Sequence, residues 1–135
     1  MDNLSREDRR KNMRNIRSKG TKPEITLINE LRKNKLKFET HISDIVGKPD
    51  IIFRRKKIAV FIDSDFWHGH PKRFIMPKSN KKYWQNKIKR NIIRDKYVTN
   101  KLRREGWSVL RIWEFDIKHN LDKCINRIVR KYKEK

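Results

Sequence analysis

Cysteine is almost missing from this chain of 135 residues: Cys124 stands alone. That excludes an intrachain disulfide and any cysteine-rich zinc site. Long apolar runs are missing too. None approaches the roughly 18 residues that a spanning helix needs, so membrane insertion is not expected. The first residues are polar and charged from Asp2 onwards, without the apolar stretch of a signal peptide. A soluble, intracellular, cytoplasmic protein is the expectation. Acids are scarce: 16 Asp and Glu face 38 Lys and Arg, a formal charge of +22 and a sequence pI near 10.5. Such an excess is the electrostatic footprint of a polyanion binder. With 35% apolar residues, the core must be modest and confined to a few strongly apolar segments.

Those segments set the organisation. Residues 5–17 read as a short basic helix with thin apolar content, Met13 and Ile16, so residues 1–20 are expected to form an arm. Residues 21–135 are expected to form one domain. Thr21, Pro23 and Glu24 match a capping box with proline in the first turn. Ile25, Leu27, Ile28 and Leu31 supply the apolar face of the helix that follows, ending near Asn34. Strands are expected at 38–42, 50–53 and 58–62. A charged hairpin, 54–57, joins the last two. The run 58–62 is continuously apolar, as in a central strand covered on both faces. A loop at 64–80 leads to a long helix with Ser79 or Asn80 as cap and Gly106 just past its end. A strand at 107–113 and a closing amphipathic helix from Leu121 complete the order: two helices, three strands, helix, strand, helix.

The chemistry concentrates at residues 61–68, Phe61-Ile62-Asp63-Ser64-Asp65-Phe66-Trp67-His68. An apolar strand runs into carboxylates, then two aromatics and a histidine. Asp50 opens the preceding strand, and the hairpin between them should set the two strands side by side, about 4.8 Å apart. Asp50 and Asp63 could then share one divalent cation, with the Ile62 carbonyl as a further hard ligand; Mg2+ suits oxygen donors of this kind. Taken singly, Asp50 is also explained as a strand-start residue after a proline turn, and Asp63 as the cap of its strand. His68, with an ordinary pKa near 6.5, suits proton transfer, although a lone histidine is also a common surface residue. His70 reads as a surface or supporting residue. Glu24 is fully explained by the capping box.

Between Lys72 and Arg104 there are thirteen Lys or Arg and one acid, Asp95, with Phe74, Tyr83, Trp84 and Tyr97 interleaved. A cationic helix of this kind releases counterions from a phosphate backbone. Aromatics can stack on bases or wedge between them. Phe66 and Trp67 enter a Gly/Pro loop and should be exposed, whereas Trp84 fits core packing equally well. Asn86 and Asn91 could bond base edges or could simply be solvated.

In order and spacing, several segments together resemble the very short patch repair (Vsr) endonucleases, a branch of the PD-(D/E)xK nuclease superfamily. They are Lys11-Asn12-Met13-Arg14, Gly47-Lys48-Pro49-Asp50, Phe66-Trp67-His68, Tyr83-Trp84 with Lys87, Asn91 to Asp95, Gly106-Trp107 and Trp113-Glu114. The resemblance spans most of the chain, about residues 9–116. It implies an α/β fold, a mixed central sheet flanked by helices with the restriction-endonuclease-like αβββαβ core. It also implies a strand-specific nick beside a T·G mismatch in double-stranded DNA; with Mg2+ held by the carboxylates as cofactor, a 5′-phosphate product is expected. Position by position, Asp50 resembles the metal-binding aspartate and Ile62 the residue lending a backbone carbonyl. His68 resembles the catalytic histidine, and Glu24 the acid assisting it. Phe66, Trp67 and Trp84 resemble the inserting aromatics, Lys87 and Asn91 the contacts to the mismatched bases, and Arg14 a DNA contact of the arm. Two departures stand out. The family's structural zinc positions carry Asp65, His70, Lys72 and Phe115, so no structural zinc is expected. Asp63 replaces a histidine, which moves the site towards an ordinary metal-dependent nuclease. A restriction or homing-type endonuclease on the same core is therefore the alternative, and a non-enzymatic basic DNA-binding protein ranks last. Residue types leave the oligomeric state open.

Overall fold

Leu27 and Leu31 occur one helical repeat apart and are fully buried, so the first helix docks along a single stripe. In the computed structural model, which describes residues 22–65, 70 and 75–135, this is α1, Lys22–Lys33. It is followed by β1 (Glu39–Thr40), β2 (Ile51–Phe53), a 3-10 turn (Arg54–Lys56) and β3 (Ile58–Asp63). Then come α2 (Lys81–Arg104), β4 (Ser108–Trp113), α3 (Glu114–His119) and α4 (Leu121–Glu134). The basic helix expected at 5–17 lies outside the described residues.

The four strands form one mixed sheet in the order β1-β2-β3-β4. β1 and β2, and β2 and β3, pair antiparallel; β3 and β4 pair parallel, with Ile58 opposite Ser108 and Asp63 opposite Trp113. A parallel pair needs a long crossover, and α2 supplies it. Alternation along the strands divides the core into two layers. Ile51, Phe53, Ile58, Val60, Leu110 and Ile112 face α1, α3 and α4, where Leu27, Leu31, Ile117, Cys124 and Ile128 meet them. Ile52, Ala59, Phe61 and Val109 face the opposite way, onto Val98 and Leu102 of α2 and onto Ile42. The continuous apolar runs of β2 and β3 follow from this double coverage. The molecule is an α/β protein, a mixed sheet flanked by helices, with the order of a restriction-endonuclease-like core. Among the described residues, no helix is long and apolar enough to cross a membrane.

Two glycines shape what surrounds the site. Gly106 has φ +92. Its amide donates to the Arg103 carbonyl and the Trp107 amide donates to the Leu102 carbonyl, at 3.1 and 3.0 Å. Those are the two bonds of a Schellman C-terminus, and Leu102 and Trp107 pack together beneath it. Gly47 has φ +77, and a Cβ there would run into Val98 Cγ1. The loop before Asp50 is therefore drawn tightly against α2. The other end of α2 departs from expectation: Asn80 occupies the cap position in a left-handed conformation, φ 58, and its side chain makes no capping bond. The segment after β4 also differs, since the chain turns directly into the short helix α3 before α4 begins.

Candidate active site

The site begins where β2 starts. Pro49 is fully buried and holds the turn into Asp50. The Asp50 amide donates to the Val60 carbonyl at 3.0 Å, extending the β2–β3 ladder by one bond. Its carboxylate then replaces the next rung: the Ile62 amide donates to Asp50 Oδ2 at 2.7 Å. A strand residue directs its N–H and C=O to the same edge. The bond that aims the Ile62 amide at Asp50 therefore also turns the Ile62 carbonyl towards Asp50. Two hard oxygen donors, one carboxylate and one carbonyl, are thus gathered on one side of β3.

Asp63 closes the strand and takes the other direction. Its side chain stands on the α2 face with Phe61 and is 4% exposed. Arg111 Nη1 donates to Asp63 Oδ1 at 2.8 Å, while Arg111 Nε donates to Thr99 Oγ1 at 2.8 Å. The guanidinium lies 4.2 Å above the Phe61 ring centroid, and its Nη1 is 3.8 Å from Asp95 Oδ1. Sequence reasoning overlooked Arg111 and Thr99. A signal existed: a lone arginine inside the apolar strand Val109-Leu110-Arg111-Ile112 must bring a counter-charge with it. A cavity of about 300 Å3 opens beside this pair, bounded by Ile92, Lys96, Thr99 and Trp113.

Glu24 is 3% exposed on α1, on the same stripe as Leu27 and Leu31, and so looks inward towards the opposite face of the sheet. Thr21, its expected capping partner, lies outside the described residues. Trp84, Lys87 and Asn91 sit on α2. Residues 84, 88, 91, 95, 98 and 102 recur at helical spacing, and Ile88, Val98 and Leu102 of this stripe are buried. The face that packs on the sheet in the second half of α2 thus carries Trp84 and Asn91 in the first, with Lys87 beside them. Trp84 is partly buried, edge-on to Tyr83 with centroids 5.1 Å apart, and Asn91 Oδ1 accepts from Arg94 at 3.2 Å. Arg14, Phe66, Trp67 and His68 lie outside the described residues. His70 is described: its amide donates to the Asp65 carbonyl at 2.9 Å and its ring sits edge-on to Trp113 at 4.5 Å. Phe115 packs on the His119 ring at 4.3 Å.

Among the described residues, no cluster of three or more His, Cys, Asp or Glu side chains is placed to hold a metal. Magnesium does not require one. It is commonly bound by one or two carboxylates, with water and substrate phosphate completing its shell, and the oxygen donors of Asp50 and Ile62 fit that chemistry.

A mixed sheet with an acidic strand start, one long cationic crossover helix and a helix on the far face is the arrangement of a restriction-endonuclease-like core. Comparisons with known proteins agree. The family model of the DNA mismatch endonuclease Vsr matches residues 1–73. The chain is 41% identical over 137 residues to the type II nicking enzyme V.NmeDIP of Neisseria meningitidis serogroup C, covering 100% of this chain and 93% of that one. It is 41% identical over 127 residues to the type II nicking enzyme V.HpaIIP of Haemophilus parainfluenzae, covering 91% and 89%. Against the DNA mismatch endonuclease Vsr of Escherichia coli it is 33% identical over 107 residues, covering 78% and 69%. The chain belongs to the Vsr family, and it is a DNA endonuclease.

Proposed function

We propose that this endonuclease nicks one strand of duplex DNA at a T·G mismatch and depends on Mg2+ held by Asp50 and the Ile62 carbonyl. The observation that carries the reading is the bond from the Ile62 amide to Asp50 Oδ2, which turns a carboxylate and a carbonyl to one edge of β3. A divalent ion bound there supplies charge neutralisation at the scissile phosphate and an acidified water. The residues of the chain do the rest. His68, a few residues beyond Ile62, accepts or returns the proton of the attacking water. Glu24, buried on α1, orients that histidine. The expected products are a 5′-phosphate and a 3′-hydroxyl. Phe66, Trp67 and Trp84 open the base stack, which costs least where a mismatch has already weakened it. Asn91 stands on the α2 stripe that carries Trp84, Lys87 stands beside that stripe, and both address the mismatched bases. Arg14, in a basic arm formed by residues 1–20, adds a backbone contact outside the nuclease domain of residues 21–135.

Asp63, expected as a second oxygen donor, enters this reading through the strand end it closes, because its Oδ1 is engaged by Arg111. Asp50→Asn should bind duplex DNA with parental affinity and fail to cut it. Strand-resolved products from paired duplexes, identical except for T·G or C·G at one position, provide the measurement. Cutting by Asp50→Asn at the parental rate with Mg2+ would remove Asp50 from the site. Equal cutting of both duplexes would favour a restriction or homing-type enzyme acting on paired DNA.

A further inference from the structure

The part-buried ion pair at the end of β3 has no part in the metal site as built above, yet it touches both halves of the machinery. Asp63 directly follows Ile62, whose carbonyl and amide face Asp50. Arg111 holds Asp63 Oδ1 at 2.8 Å and reaches α2 by three further contacts: Thr99 Oγ1 at 2.8 Å, the Asp95 carbonyl at 3.4 Å and Asp95 Oδ1 at 3.8 Å. Asp95 lies one helical turn beyond Asn91, on the stripe that carries Trp84. Stacking over Phe61 restricts the guanidinium further. One side chain therefore spans the strand that ends in the metal donors, the edge strand β4, and the helix that meets DNA.

We propose that Asp63 and Arg111 are a pair of positioning residues, a latch that fixes the catalytic end of β3 to the DNA-contacting helix α2, with Asp63 serving Arg111 and not the metal. This rests on the Asp50 and Ile62 reading of the site. Two physical arguments support it. A carboxylate this deeply buried needs a partner charge, and Arg111 already provides it in good geometry. A divalent ion on the same carboxylate would face the repulsion of a guanidinium in a poorly solvated setting. The latch also has a use. A shift of about 1 Å in the Ile62 carbonyl is enough to lower a rate a hundredfold, and the pair joins the last residue of β3 to α2, beyond the packing of Phe61 on Val98 and Leu102.

The test compares the full chain with Asp50→Asn, Asp63→Asn, Arg111→Met and the Asp63→Asn/Arg111→Met double variant on T·G duplexes. One readout is Mn2+ binding to the protein–DNA complex, followed by electron paramagnetic resonance. The other is the single-turnover nicking rate at saturating Mg2+. Mn2+ binding should weaken at least about tenfold in Asp50→Asn and stay within about threefold of parental in the other three. The nicking rate should fall about tenfold in each single latch variant and no further in the double, as for residues acting as a unit. Loss of Mn2+ affinity in Asp63→Asn comparable to that in Asp50→Asn overturns the latch and makes Asp63 a ligand. Multiplying losses in the double variant overturn it as well. Should Arg111→Met fail to fold, Asp63→Asn, which keeps an oxygen facing Arg111, decides the matter by its Mn2+ binding alone. If instead Asp50→Asn binds Mn2+ and nicks like the parental chain, it is the metal reading that fails, and the double-variant cycle still judges the pair.

Discussion

At the scale of single residues, the molecule separates charges that are exposed from charges that are committed. Arg54 shows the first kind. Its guanidinium forks onto Glu39 at 2.8 and 3.1 Å and onto Asp44 at 3.1 Å, tying β1 and the following loop to the turn before β3. Hydrogen bonds from Arg54 lower both carboxyls from their ordinary values, 4.5 for Glu39 and 3.8 for Asp44. A group with a depressed folded-state pKa stabilises the fold above its unfolded value, and that contribution fades as pH falls through the lower folded value. The stabilisation from Arg54 should therefore be complete above pH 4.5 and disappear on acidification below it. Urea titrations of the parental chain and Arg54→Ala should differ near neutrality and converge at low pH. Because all three groups are solvated, added salt should shrink the difference. Asp63 and Arg111 show the second kind. Asp63 was read from the sequence as an acid at a strand end, which is correct as placement. Which cation it would meet depends on the crossing of α2, and no local pattern carries that information.

At the scale of elements, the apolar runs of β2 and β3 and the helical stripe of α1 were legible because each is a local periodicity repeated over several residues. Strand and helix ends were read less well. The expected strand at 38–42 shrinks to Glu39–Thr40, and α3 intervenes before α4. Both changes are set by which neighbours the backbone finds after folding. Gly47 illustrates a constraint that composition hides. Its φ of +77 and its approach to Val98 exclude a side chain twice over. Gly47→Ala should cost about 3 kcal/mol, the upper range for overpacking combined with a strained backbone. Denaturant melts provide the measurement, and a loss below about 1 kcal/mol would show that the loop before Asp50 yields freely. The same substitution should lower the nicking rate even in protein that remains folded, because that loop delivers Asp50 to Ile62.

At the scale of the whole molecule, a charge of +22 on 135 residues should make phosphate contact a large contribution to DNA affinity. If six or more phosphates are neutralised, binding to duplex DNA should weaken by about a thousandfold between 50 and 200 mM salt. Fluorescence anisotropy across that range gives the slope directly, and a change of less than about tenfold would mean that few of these cations reach the backbone. Charge sets how tightly and how fast the protein finds DNA, but not where it cuts. On the proposed reading, the position of cutting is set by Asp50, Ile62 and the residues around them, whose arrangement does not follow from composition.

The division between chain and fold has a physical basis. Local order along the chain was enough to indicate a polyanion binder, a mixed α/β core and acids at the strand ends, because periodicity and charge are carried by neighbours in sequence. Tertiary structure alone decided the partners of those acids. Asp50 met the Ile62 amide through the register of two antiparallel strands, and Asp63 met Arg111 through a parallel strand 48 residues away. Contacts of that separation are chosen by the packing of the whole core, and each decides whether a carboxylate is available to a cation or already taken.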